Sequence, residues 1–427
     1  MHGTIHVKSL FTKDKQMKTK KRFTARIGLI LLTYIAFIAL GLPDGLIGVG
    51  WPSIRSGFQI PLDALGALMF VSAAGYLASS FLSGRLITSL GVGGVLSASC
   101  ALTGMALIGY TLVPVWWMMV ALGGATGLGA GAIDAGLNTY VVDNFHEGLM
   151  QWLHASYGIG ITLGPVMMTI GLNTMNSWRP GYLFVGFFQL ALGLSFALTI
   201  KVWNQKAKVE EGKPKKISEY KTAYSETLRQ PAVWLSILLF ILYVGAEISL
   251  GTWAYTLLTE SRGISTRIAG YLSGSYFATF AIGRILAGFY AKRMGVNLLV
   301  KISLLGAILG SVLLWLNLTD VISVIGVALV GLSIAPIFAA LVSGTPARVG
   351  PRFAANTIGM QISAGSIGAA TIPSLVGVAA RYISLEAIPA SLFFLLISLF
   401  MLFLLSNRLA DQRELQEFAI IEKATLS

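Results

Sequence analysis

One cysteine in 427 residues, Cys100, leaves no partner for an internal disulfide and no thiolate set for a metal. Histidine is almost as scarce, and His2, His6, His146 and His154 show no metal-ligand spacing. Charge is thin as well: 11% of residues are Asp, Glu, Lys or Arg, against 55% hydrophobic, and the mean hydropathy is +0.75. That balance excludes an ordinary soluble globular domain. No nucleophile–base pair is evident along the chain, so an enzyme is not expected. Residues 1–26 are Lys-rich and lack an apolar core followed by a small-residue cleavage site. They read as a cytoplasmic tail before an uncleaved first span, not a removable signal peptide.

What the chain does have is long apolar runs. A bilayer crossing needs about 20 such residues. Twelve stretches qualify: 27–49, 64–83, 94–113, 115–142, 152–173, 181–203, 232–258, 267–290, 297–316, 320–344, 354–380 and 387–406. Those at 64–83 and 354–380 are rich in Gly, Ser and Ala, which suits close helix–helix contact. The net charge of +13 invites a nucleic-acid reading, but its distribution argues against one. With twelve spans, 25 of the 31 Lys and Arg fall on the side of both termini. The opposite loops hold only Arg55, Arg179, Arg262, Arg267 and Arg381. This asymmetry predicts cytoplasmic termini in a multi-pass protein of the cell membrane. The lipid bilayer is the expected partner, and a nucleic acid is not.

One hydrophilic insertion, 204–230, divides six spans from six, with a short surface helix expected over 217–228. The predicted organisation is a tail at 1–26, a six-helix bundle over 27–203, the linker 204–230, a second bundle over 231–406 and a tail at 407–427. The halves echo each other. "SGRLITSLG" at 83–91 and "AGFYAKRMG" at 287–295 each place two glycines seven residues apart. A half-length repeat with a central linker predicts an all-α integral membrane fold of two pseudo-symmetric six-helix bundles. The glycines of 123–134 lack the Lys and the strand–helix context of a phosphate loop, so they read as packing glycines.

Four ionisable residues interrupt the apolar runs: Asp44, Asp134, Glu247 and Arg284. A charge at the bilayer centre costs roughly 3 kcal/mol, so such residues face a polar cavity and mark a permeation path. Asp44 follows Pro43 and precedes Gly45, which predicts an opened helix backbone beside the carboxylate. Asp134 has Asn138 one turn on, offering acceptors and donors that suit a polyhydroxylated ligand. A desolvated carboxylate there could also take up and release a proton near neutral pH. His154 and Tyr157 share one helix face at the start of the fifth span. Glu247 lies between Tyr243 and Gly251, with Trp253 just beyond; aromatic faces stack on sugar rings, or pack a core. Tyr276 and Gln361 are further polar candidates, while Arg284 pairs with Glu247 or a transported anion, or snorkels to the interface.

With Asp44, "IDAGLN" (133–138), "YVGAEISLGTW" (243–253) and "YLSGSYFATFAIGR" (271–284), the chain resembles the fucose permease branch (fucose/glucose–proton symporters) of the major facilitator superfamily. The resemblance covers all twelve spans. It implies alternating access around one central site, driven by protons, with the coupling acids falling on Asp44 and Asp134. In that family the fourth-span acid is often Glu and the position of Glu247 is Gln in some relatives, so the solute does not carry over. The expectation is a proton-coupled symporter of a sugar or similar solute, with Asp44 and Asp134 coupling the proton. Asn138, His154, Tyr157, Tyr243, Glu247, Trp253, Tyr276 and Gln361 would bind the solute. Proton-coupled efflux of drugs or amphipathic metabolites is the alternative. No cofactor is expected beyond the ion gradient, with sodium open as the coupling ion, and a monomer suffices.

Overall fold

The computed structural model describes residues 3–144, 147–203 and 222–426. Helix α1 (Gly3–Phe58) carries the first span, and α2 (Leu65–Tyr110) carries two. Helices α3 (Trp116–Asn144), α4 (Glu147–Met175) and α5 (Arg179–Trp203) complete six crossings. After the single turn α6 (Tyr224–Thr227) come α7 (Pro231–Thr256), α8 (Thr266–Met294) and α9 (Val296–Leu316). The tenth crossing is divided by Pro336 into α10 (Asp320–Ile334) and α11 (Ile337–Ser343). A short α12 (Thr345–Val349) leads to α13 (Pro351–Tyr382) and α14 (Ala387–Leu426). Ten segments among the described residues are long and apolar enough to span a membrane. Counting α2 as two crossings and adding α8, which Gly, Ser and Arg284 make less apolar, gives twelve.

The half-length repeat is visible in the backbone. Gly91 bends α2 with φ 70° and ψ 165°, and Gly295 precedes α9 with φ 72° and ψ 158°. A side chain at either position would be strained, which is why glycine ends both copies of the motif. The other glycine of each copy, Gly84 and Gly288, has open space where a Cβ would stand.

Helix continues into both predicted tails, from Gly3 in α1 and to Leu426 in α14. Extending an existing helix needs no new nucleus, so moderately polar flanks continue it. Pro43 does not open α1, which stays helical through it. The surface helix expected over 217–228 is only α6, while 217–221 lie outside the described residues.

Lipid solvates apolar side chains as well as a core does, so helices here associate through small residues. Helix α9 turns Leu298, Ile302, Leu305 and Leu309 outward, while Ser303, Ala307, Gly310 and Ser311 are buried. A Cβ on Gly310 would come within 2.9 Å of the Gly326 carbonyl on α10.

Among the described residues the contacts between the halves gather on one side. Helix α1 crosses α7 where a Cβ on Gly48 would stand 2.6 Å from the Gly251 carbonyl. Gly66 abuts Ser374 of α13, and Gly270 and Gly274 of α8 abut α4 at Thr169 and Pro165. Two ion pairs join the halves there, Arg55–Glu260 at 2.5 Å and Asp63–Arg381 at 2.7 Å. All these residues lie away from the chain ends. One hydrophobic core runs through both halves on that side, from Leu46, Trp51 and Tyr182 to Leu250, Trp253 and Ile372. Towards the chain ends the first half keeps a separate core around Phe37, Cys100, Ile133 and Phe196. Cys100 is fully buried in it. Nearer the chain ends, Gly84, Gly158, Gly288 and Gly359 have no atom within 4 Å of a built Cβ. The fold is therefore sealed on the side opposite the termini and parted on theirs.

A buried guanidinium anchors the sealed side. Arg262 donates to Ser323 at 2.7 Å, to the Leu314 carbonyl at 2.7 Å and to Glu386 at 2.9 Å. Its side chain is 1% exposed and that of Glu386 38%. Arg262→Gln is expected to lower stability by about 2 kcal/mol, less than for a fully buried pair because Glu386 is partly solvated. Burial pushes the Glu386 carboxyl up, but hydrogen bonds from Arg262 and Ser261, and the Arg262 charge, outweigh it and hold the group below its ordinary 4.5. Its contribution is thus complete above pH 4.5 and lost as pH falls through the lower folded value. Thermal unfolding of the purified protein across that window should show the wild type losing stability more steeply than Arg262→Gln.

Candidate functional site

Small residues bring the first two acids to their partners. On α1, a Cβ at Gly41 would strike the Tyr157 carbonyl of α4 and one at Gly45 the Ile161 carbonyl. This four-residue spacing lets the two backbones touch. Asp44, next to Gly45, then accepts a 2.7 Å hydrogen bond from the Tyr157 hydroxyl. Asp44 sits mid-span, and its side chain is exposed rather than packed in the core.

The same logic joins α2 to α3. Gly75, Gly127 and Gly131 leave no room for a Cβ against the facing backbone. Through that contact Tyr76 donates to Asp134 at 2.5 Å. Asn138 donates to the other Asp134 oxygen at 2.8 Å, and also to the Asp134 carbonyl at 2.9 Å. Each acid is thus held by a phenol from a neighbouring helix. Tyr76 is not among the residues that the sequence marks out. The available signal was a lone phenol inside the small-residue stretch "AAGYLASS", and nothing local ties it to a residue 58 positions on.

His154 is exposed on α4, edge-on to Phe37 at 5.8 Å. It interacts electrostatically with Asp134 in its own half and with Arg284 in the other. Glu247 on α7 is half-buried and interacts with Arg284 and with Tyr157 across the gap. Arg284 itself is exposed, its guanidinium 4.4 Å from the Phe280 ring centre. No carboxylate lies within ion-pair distance of it among the described residues. A hydrogen bond and electrostatic coupling thus link Asp44, Tyr157, Glu247, Arg284, His154 and Asp134 in sequence across the two halves.

Trp253 and Gln361 do not join this set, whereas Tyr243 and Tyr276 stand behind Glu247 and interact with it. Tyr243 is buried against Phe338, with ring centres 6.1 Å apart. Trp253 is buried against Gly377, and its indole donates to the Pro373 carbonyl at 2.9 Å. The Tyr276 hydroxyl donates to the Glu247 carbonyl at 2.8 Å. Gln361 is buried and accepts from Thr345 at 3.0 Å. Here the aromatics pack the second half's interior rather than presenting a face to a solute. Tyr276 does fix the backbone that carries Glu247.

A family model described as Major Facilitator Superfamily matches residues 33–373. Bypass of stop codon protein 6 of Saccharomyces cerevisiae is 24% identical over 445 residues, covering 94% of this chain and 87% of that protein. The human sodium-dependent glucose transporter 1 is 22% identical, covering 80% of this chain and 72% of its own. The glucose/mannose transporter GlcP of Bacillus subtilis is 21% identical, covering 82% and 87%. Among solved structures, a D-xylose–proton symporter superposes with a TM-score of 0.66 at 14% identity, covering 88% of this chain and 97% of that one.

Proposed function

The chain belongs to the Major Facilitator Superfamily, and from that premise we propose a proton-coupled symporter of a sugar or similar polyhydroxylated solute, working by alternating access. The observation that carries the reading is the pair of tyrosine-held acids, Tyr157–Asp44 and Tyr76–Asp134, facing the gap from the first half. A polyol brings both donors and acceptors, so its hydroxyls can replace the phenols on these carboxylates and the amide of Asn138. Asp44 and Asp134 couple the proton. His154, electrostatically coupled to Asp134, passes a proton between that acid and water in the gap. Glu247 supplies the acceptor on the other half, and Arg284 offsets its charge. The sugar-transporter relatives support the solute class, and the proton symporter among the structural neighbours supports the coupling ion.

The concentration of Lys and Arg on the terminal side supports cytoplasmic termini in a cell membrane, which makes the described state open inward. The groups of the site come from one chain, so a monomer is sufficient. The human relative is named for sodium, and the assay must separate the two ions. Purified protein in liposomes should accumulate radiolabelled D-glucose, D-xylose or L-fucose under an inward proton gradient, and lose the accumulation when a protonophore is added. Accumulation driven only by sodium would replace the proton in this scheme. No accumulation of any of the three sugars, with export of amphipathic dyes instead, would overturn the solute class.

A further inference from the structure

The sealed side carries a second polar cavity that the central site does not use. It is about 900 Å³ and lies where the end of α1 meets the α4–α5 turn and the end of α7. Arg55, Ser56, Gln59, Asn176, Arg179 and Glu260 contribute to its wall. Two guanidinium groups face one carboxylate, so the cavity carries excess positive charge. Their donors are only partly used. Arg55 gives Nη2 to Glu260 at 2.5 Å, while its Nε is buried with no acceptor. Arg179 uses Nε on the Thr111 carbonyl at 3.2 Å and rests over Trp178 at 5.0 Å, which leaves its two terminal nitrogens uncommitted.

We propose that this cavity binds a small oxyanion, a carboxylate or phosphate group, between Arg55 and Arg179. Such a site would serve equally in a transporter of any other solute. A planar guanidinium fork matches two oxygens of a carboxylate or phosphate, which a neutral polyol cannot reproduce. Glu260 takes only the Nη2 of Arg55, through one oxygen, and leaves its Nε without an acceptor. A free anion takes the unused donors and competes with Glu260 for the rest. Because Arg55–Glu260 is one of the two ion pairs joining the halves on this side, occupancy loosens the seal.

The test is calorimetric titration of the full chain in lipid nanodiscs with sodium phosphate and with sodium acetate, against sodium chloride at matched ionic strength. Both oxyanions should bind with saturable heat that chloride does not give. Glu260→Gln, which removes the competing carboxylate, should tighten binding about tenfold, and Arg179→Gln should weaken it about tenfold. The gain in Glu260→Gln cannot arise from misfolding, so it guards against a variant that merely fails to fold. Tighter acetate than phosphate would identify an organic acid as the natural occupant, and equal affinities a general oxyanion site. Heats no larger than those of chloride, or affinities unchanged in both variants, would overturn the proposal.

Discussion

Asp134→Asn should leave proteoliposomes unable to concentrate a solute that the wild type accumulates, with inside and outside levels equalising. The amide keeps the shape of the carboxylate and can still meet Asn138, but it has no titratable proton to carry. Downhill exchange of labelled for unlabelled solute should survive, because it moves no net proton. That separation of accumulation from exchange distinguishes a coupling residue from one that only shapes the site. Asp44→Asn is the companion measurement, since Asp44 is held by Tyr157 in a parallel arrangement and may not be assumed equivalent. Undiminished accumulation in Asp134→Asn would remove that acid from the coupling scheme.

A second large effect is expected at the crossing of α1 and α7. Gly48→Leu places a side chain where a Cβ alone would stand 2.6 Å from the Gly251 carbonyl, with the Thr252 carbonyl at 3.1 Å. Overpacking of this kind costs about 1–3 kcal/mol. Borne only by the state sealed on this side, that cost shifts its population about 5- to 150-fold. Spin labels on the two halves at the sealed side should report longer distances in Gly48→Leu than in wild type. Gly158→Leu is the control, because nothing lies within 4 Å of its built Cβ, so the distances should hold. Unchanged distances in Gly48→Leu would mean that the crossing is not what keeps the halves together.

The spans were legible because crossing a bilayer imposes a length and a composition that survive any detail of packing. The repeat was legible through Gly91 and Gly295, whose positive φ angles exclude most other residues. Asp44, Asp134 and Glu247 declared themselves by their cost in an apolar run. Their partners did not. Tyr76 and Asp134 meet only because Gly75, Gly127 and Gly131 let α2 and α3 touch, a tertiary fact with no local trace. Trp253 misled for the opposite reason: a tryptophan one and a half turns past an acid reads as a stacking platform until Pro373 is seen to occupy its indole. Pro43 misled likewise, since neighbouring helices and the α-helical φ of proline allow α1 to continue through it.

The solitary thiol has a practical bearing on all of these experiments. Cys100 is sealed inside the first half's interior, where maleimides and other water-borne reagents find no access. The natural chain therefore already serves as a silent background for site-directed labelling. A single cysteine placed at Gly84 or Gly288 should react from one face of the membrane and fall quiet when that face closes, so the working cycle can be followed without first stripping the protein of its own sulfur.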